Sequence, residues 1–310
     1  LHRRRHSFPT RRSSDLGDIN GDGMDDVLVG SRGVGAVYVL YGNATGTSAS
    51  IAYNSTGLGN LTAPAGGFKI LGPSTPSDYF GYSVSGVGDT NGDGYSDYVV
   101  NSAGISGAFM IYGGSRNGET LDLTQGTIEG TRGYKIKTLG TSYGDTVSGA
   151  GDVNGDGLAD IILADYASGT ATYSDERYGR AVVLYSQAAG TLPADLNTVT
   201  GTQGFKISGD ISSGGYNFSE VSSLGDVNGD GLADVGVITS KRLYVVFGNS
   251  TGAAVNFSNF IATQGFTFET NPSSTFTSVS SAGDMNGDTV CLKFTATSAD
   301  DLFVTLVTEP

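Results

Sequence analysis

A nine-residue pattern, Asp-x-Asn-x-Asp-Gly-x-x-Asp, recurs along the chain and limits what it can fold into. It is complete at Asp18–Asp26, Asp89–Asp97, Asp152–Asp160 and Asp226–Asp234, and a fifth copy opens at Asp284–Asp288 and breaks off. Successive starts lie 71, 63, 74 and 58 residues apart. Recurrence at such a period marks one supersecondary unit repeated, a unit that cannot bury its apolar face alone and must stack on its neighbours.

Each copy concentrates oxygen donors. Position 1 is Asp18, Asp89, Asp152 or Asp226, and position 3 is Asn20, Asn91, Asn154 or Asn228. Position 5 is Asp22, Asp93, Asp156 or Asp230, and position 9 is Asp26, Asp97, Asp160 or Asp234. Position 7 varies freely (Met24, Tyr95, Leu158, Leu232), as expected where the ligand is a backbone carbonyl. Position 6 is Gly23, Gly94, Gly157 or Gly231, where a chain wrapping an ion turns sharply. Hard oxygen donors without His or Cys favour calcium over zinc or copper, and magnesium is disfavoured because it prefers few carboxylates and several retained waters. A metal-free Asx turn uses the same residue types. Three carboxylates confined to nine residues repel one another, however, and a divalent cation relieves that in every copy. About four calcium sites are therefore expected, the fifth loop being incomplete.

The pattern also opens EF-hand and dockerin loops, but those sit between helices and end in an acidic residue at position 12. Here position 12 is Val29, Val100, Leu163 or Val237, within short β-branched runs that read as strands. Three further apolar segments recur in each unit. One precedes the loop (Phe80–Val84, Tyr143–Val147, Phe218–Val221, Phe276–Val279). Another follows a Gly-rich turn (Ala36–Tyr41, Ala108–Tyr112, Ala181–Tyr185, Leu243–Phe247), and the last begins with glycine (Gly67–Ile70, Gly133–Ile136, Gly204–Ile207, Gly265–Phe268). No segment holds a helical period, and 49 glycines favour turns. Four short strands per unit predict an all-β chain, a β-propeller of four-stranded antiparallel blades. The aromatic residues Phe80, Tyr143, Phe218 and Phe276 are expected between blades, with Tyr41, Tyr112, Tyr185 and Phe247 at strand ends.

The Phe80-Gly81 pair, the degenerate Gly-Ala elements at Gly35-Ala36 and Gly107-Ala108, and the Gly-Asp-x-Asn-Gly-Asp-Gly cores at Gly88–Gly94, Gly151–Gly157 and Gly225–Gly231 resemble the FG-GAP repeat. That repeat builds the propellers of integrin alpha-subunits and of bacterial extracellular relatives, and the similarity covers about residues 17–288. It implies calcium, mainly structural, in the loop between the first and second strands of a blade, with partner contact made by loops on another face.

Both ends depart from the pattern. Residues 6–16, His-Ser-Phe-Pro-Thr-Arg-Arg-Ser-Ser-Asp-Leu, resemble the frame translation of a sequencing adapter, so 1–16 are read as a non-native artefact. Residues 289–310 match no other unit and read as a divergent tail, frameshifted or chimeric, holding the only cysteine, Cys291. The first unit then lacks an opening strand and the fifth keeps only that strand, giving three full blades and two incomplete ones. That strand could close a four-bladed ring with the first unit, but an arc of a larger propeller is the expectation.

The net charge of −14 becomes −18 without residues 1–16, which disfavours nucleic acid and anionic membranes as partners. No apolar run reaches transmembrane length, so no direct membrane insertion is expected. Oxygen-only loops work where calcium is millimolar, which points to a secreted or cell-surface protein. The only histidines, His2 and His6, lie in the artefact, and a candidate acid pair outside the loops, Asp175-Glu176, reads as solvated charge. The leading expectation is a calcium-stabilised extracellular recognition or adhesion module without catalytic activity, facing a protein or polysaccharide ligand. The alternatives are a non-catalytic propeller of a secreted hydrolase, or a spacer in a large repetitive surface protein. The insertions Gly42–Gly66 and Ala167–Arg180 are the candidate contact loops.

Overall fold

A computed structural model of the chain describes residues 17–31, 33–43, 50–52, 60–62, 66–73, 79–102, 107–116, 118–128, 130–137, 146–165, 180–187, 196–209, 218–239, 241–270, 275–281, 292–296 and 302–303. Within these, regular structure is strand apart from two 3₁₀ turns at Leu196–Thr198 and Phe257–Asn259. The first unit runs β1 (Val27–Ser31), β2 (Ala36–Leu40), a small hairpin of β3 (Ser50–Ala52) and β4 (Asn60–Thr62), then β5 (Gly67–Leu71). The second runs β6 (Phe80–Gly88), β7 (Asp97–Ser102), β8 (Gly107–Ile111), β9 (Thr120–Asp122) and β10 (Gly133–Lys137). The third comprises β11 (Thr146–Gly151), β12 (Asp160–Asp165), β13 (Arg180–Leu184) and β14 (Gly204–Ser208). The fourth comprises β15 (Glu220–Gly225), β16 (Asp234–Ile238), β17 (Arg242–Val246), β18 (Val255–Asn256) and β19 (Gly265–Thr270). Last come β20 (Phe276–Ser281), β21 (Leu292–Ala296) and β22 (Leu302–Phe303).

The three central units are antiparallel four-stranded meanders, β6-β7-β8-β10, β11-β12-β13-β14 and β15-β16-β17-β19. In the first unit β1, β2 and β5 pair in order, without an opening strand among the described residues. These are the blades of a β-propeller. Their apolar clusters lie between successive sheets. One joins Val37, Val39 and Ile70 of the first blade to Phe80, Val100 and Phe109 of the second, and another joins Val99 and Met110 of the second to Ile161, Leu163 and Val182 of the third. Neighbouring residues of one strand, such as Val99 and Val100, thus enter clusters on opposite faces. Burial on both faces explains why these strands are continuous apolar runs and do not alternate. Phe80, Phe218 and Phe276 are buried in these layers, as are Tyr41, Tyr112 and Tyr185. Tyr143 lies outside the described residues.

Two features lie beyond the sequence pattern. The connection between third and fourth strands reaches back to the preceding blade, where β9 pairs parallel with β5, and β18 with β14. Each strap covers the outer sheet edge, which would otherwise present unpaired backbone groups. Two short segments of the tail also pair with the repeats. β21 pairs antiparallel with β20, and β22 pairs with β19. The expectation that the fifth unit holds an opening strand alone is corrected: Leu292-Lys-Phe-Thr-Ala296 alternates apolar and polar residues, enough for a strand without any repeat signature. Because β20 takes β21 as partner, it does not close a four-bladed ring on β1.

The glycine that opens each fourth strand has a steric cause. Gly133, Gly204 and Gly265 sit at φ of 142°, 142° and 144°. A Cβ there would overlap the carbonyl oxygen of Met110, Val183 or Val245 on the paired third strand. Gly204→Ala combines this clash with a disfavoured backbone region, so it is expected to destabilise the chain by about 3 kcal/mol or more, read by urea denaturation.

Candidate functional site

The acidic loops connect opening and second strands: β6 to β7, β11 to β12 and β15 to β16, with the first loop running into β1. Their internal geometry repeats closely. In the second loop Asp89 Oδ1 accepts from the Gly92 and Asp93 N–H groups at 2.7 and 3.2 Å, and Oδ2 accepts from Gly94 N–H at 2.9 Å. Asn91 Oδ1 accepts from Asp93 N–H, Asp93 Oδ1 accepts from Tyr95 N–H, and Asn91 Nδ2 donates to Asp93 Oδ2. Asp18, Asn20 and Asp22 make the same bonds, as do Asp152, Asn154 and Asp156, and Asp226, Asn228 and Asp230. Glycines 92 and 94, at φ of 79° and 89°, supply the tight winding that lets one carboxylate reach three N–H groups.

Position 9 behaves differently. Asp160 is fully buried, its Oδ2 accepting from Val153 N–H and its Oδ1 from Ser186 N–H, both at 2.8 Å. Asp26 spans Ile19 and Gly42, Asp97 spans Thr90 and Gly113, and Asp234 spans Val227 and Gly248. Each carboxylate therefore staples the loop's second residue to the chain leaving the third strand. Burial pushes the carboxyls of Asp26, Asp97 and Asp234 up to about 6 and that of Asp160 to about 7, against the lowering effect of those N–H donors. Positions 1, 3 and 5 are thus gathered at the loop's outer side while position 9 faces inward. Among the described residues no three acidic side chains converge on one point.

The loops are also joined to one another. The position-1 carbonyl of one loop accepts the position-8 N–H of the next: Asp18 from Ser96, Asp89 from Ala159, and Asp152 from Ala233, at 2.9, 3.0 and 2.8 Å. Position 7 completes the joint. Tyr95 lies against Gly21 of the preceding loop, Leu158 against Gly92, and Leu232 against Gly155, so a side chain at any of these glycines would meet it. Free variation at position 7 points only to its carbonyl. The glycine at position 4 in every copy was the available sign of a close neighbour. The fifth loop, Asp175-Glu176 and the insertion 167–179 lie outside the described residues, and only residues 42–43, 50–52, 60–62 and 66 are described in the insertion 42–66.

Consecutive four-stranded sheets stacked face to face, each with an acidic loop after its opening strand, define a repeat β-propeller protein. The FG-GAP repeat family matches residues 11–40, which span the first loop, β1 and β2. Integrin alpha-4 of Xenopus laevis is 27% identical over 190 residues, 58% of this chain and 16% of that protein. Integrin alpha pat-2 of Caenorhabditis elegans is 31% identical over 169 residues, 50% of this chain and 13% of that protein. Phosphatidylinositol-glycan-specific phospholipase D of Bos taurus is 30% identical over 210 residues, 59% of this chain and 23% of that protein. Over part of its length the chain is similar to FG-GAP repeat proteins, integrin alpha chains among them, and it spans less than a quarter of the length of each of these relatives. No helix among the described residues is long and apolar enough to cross a membrane.

Proposed function

We propose that the chain is a calcium-stabilised, extracellular recognition or adhesion module that carries no catalysis of its own. The observation behind this is one loop geometry built four times from hard oxygen donors, in a chain similar in sequence to part of the integrin alpha chains. Positions 1, 3 and 5 would hold the ion through side-chain oxygens, position 7 through its carbonyl, and the carboxylate of position 9 from the inner side. Calcium would supply two positive charges to a loop whose carboxylates otherwise repel. The residues fit the ion by donor chemistry: only oxygen ligands, and no histidine or cysteine within the loops. A secreted or cell-surface location follows from the millimolar calcium such loops suit, and a protein or polysaccharide partner from the class of relative.

The match to the phospholipase favours a second reading, a non-catalytic propeller appended to a secreted hydrolase. An uninterrupted reading frame decides between the two, since only the second requires a catalytic domain beside the repeats. The calcium reading is tested by titration against a chelating dye. Asp93→Ala and Asp156→Ala are each expected to remove one calcium, with the loops hydrogen-bonded to the altered one weakened by less than ~10-fold. Unchanged stoichiometry in both variants would refute coordination by these loops.

A further inference from the structure

A cleft of about 520 Å³ lies between the opening strands β6, β11, β15 and β20. Both alternating sets of residues on these strands line it, the valines from the side of the core. Val84, Val147, Val221 and Val279 pack into or against the inter-blade clusters. The residues just before them, Ser83, Thr146, Glu220 and Ser278, form a tier along the cleft, and further serines lie two residues on. Glu220 takes a place that in the other three strands is a hydroxyl, and among the described residues it is the only charged one of the lining.

The hydroxyls have largely committed their protons. Ser83 Oγ donates to the carbonyl of Val147, Ser85 to that of Gly86, Ser148 to that of Gly149 and Ser222 to that of Ser223. Ser83 and Ser85 also accept from the N–H groups of Val147 and Gly149, and what the hydroxyls keep beyond these bonds is oxygen lone pairs. Glu220 adds a half-buried carboxylate, whose described bond is an N–H donated by Val279. A carboxylate accepts at up to about four positions, so capacity remains. Thr146 Oγ1 is buried without a hydrogen-bond partner among the described residues. Among the described residues the cleft is therefore rich in acceptors and carries a single negative charge, with no basic side chain in its lining. An anion is repelled there, and a neutral apolar ligand would strand these acceptors.

We infer that this cleft binds a primary ammonium group, held by the Glu220 carboxylate and the surrounding serine oxygens. Three N–H donors fanned from one positive centre match an array of lone pairs around one carboxylate. The volume falls in the range of small-molecule sites, so the group is carried either by a small amine such as an amino sugar or by a lysine side chain of a partner protein. The cleft is built by the opening strands, so its chemistry stands whether or not the acidic loops hold calcium.

Calorimetry on the full chain in millimolar calcium tests this with three probes. Glucosamine represents the small amine, Nα-acetyl-lysine amide represents the protein side chain, and glucose has the glucosamine skeleton with a hydroxyl in place of the ammonium. At least one ammonium probe is expected to bind, and whichever binds more tightly identifies the source. Glucose is expected to bind at least ~10-fold more weakly, the loss of a charge-assisted hydrogen bond. Glu220→Gln keeps an acceptor for Val279 N–H but removes the charge, and is expected to weaken the ammonium probe by the same ~10-fold or more. Ser222→Lys brings an ammonium of the chain's own into the cleft and is expected to block both probes without touching the Glu220–Val279 bond. Absence of binding by both ammonium probes, glucose binding as tightly as glucosamine, or full binding by either variant would overturn the inference.

Discussion

In EDTA, Asp160→Ala is expected to lower stability by about 3–5 kcal/mol, while Asp156→Ala, in the same loop, changes it by less than ~1 kcal/mol. The two aspartates look alike in the repeat, and their surroundings separate them. Asp156 is exposed, and its bonds are local to the turn. Water replaces them readily once the side chain is gone, and one of several mutually repelling carboxylates disappears with it. Asp160 is fully buried, and alanine would leave the N–H groups of Val153 and Ser186 without acceptors. Each buried unsatisfied donor costs about 1–3 kcal/mol. The loss falls on a joint, because Val153 also lends its carbonyl to Asn249 of the next blade. A stability of about 5–15 kcal/mol is typical of a folded chain, so a loss of this size removes a large part of it. Urea denaturation of both variants in EDTA makes the comparison without any contribution from metal. Equal losses in the two would mean that position 9 is not the staple described.

Millimolar calcium is expected to raise the melting temperature over that in EDTA by roughly 10–20 °C, as follows from about 2–3 kcal/mol per saturated site and the thermal response of a domain this size. The gap should depend on pH in a definite direction. Asp26, Asp97, Asp160 and Asp234 have folded-state carboxyls raised to about 6–7, above the ordinary carboxylate value near 3.8. Between those values the metal-free folded chain binds more protons than the unfolded one, so in EDTA its stability rises as pH falls from 8 toward 5. Calcium favours the ionised carboxylates and works against protonation. The calcium-induced rise is therefore expected to be widest near pH 8 and to narrow toward pH 5. Differential scanning calorimetry at the two pH values reads both effects, and a rise that widens on acidification would contradict the burial of these four carboxylates.

Much of the fold was legible because its signals are local and repeated. The strand positions follow from β-branched runs placed at constant distance from each acidic loop, as at Val99–Val100, Ile161–Leu163 and Val235–Val237. The straps β9 and β18 were not legible. Two or three residues such as Val255-Asn256 carry no period, and the pairing partner belongs to another unit. β21 was missed because the tail shares no motif with the repeats, while edge pairing needs only an alternating strand. Within the loops, composition gives the donor types but not the direction each side chain takes. One sign was available: Asp97, Asp160 and Asp234 are the first residues of strands buried on both faces, a place where a carboxylate needs backbone donors. The amine cleft depends on serines from four distant segments, and nothing in sequence order brings Glu220 beside Ser83 and Thr146.

The claim that each acidic loop clasps an ion is reached most directly by equilibrium dialysis of the full chain against radioactive calcium at pH 8. Four ions per chain are expected, one for each complete loop, all released by EDTA. A chain that retains none at millimolar calcium would contradict the claim, leaving the loops as hydrogen-bonded turns that join the blades without metal.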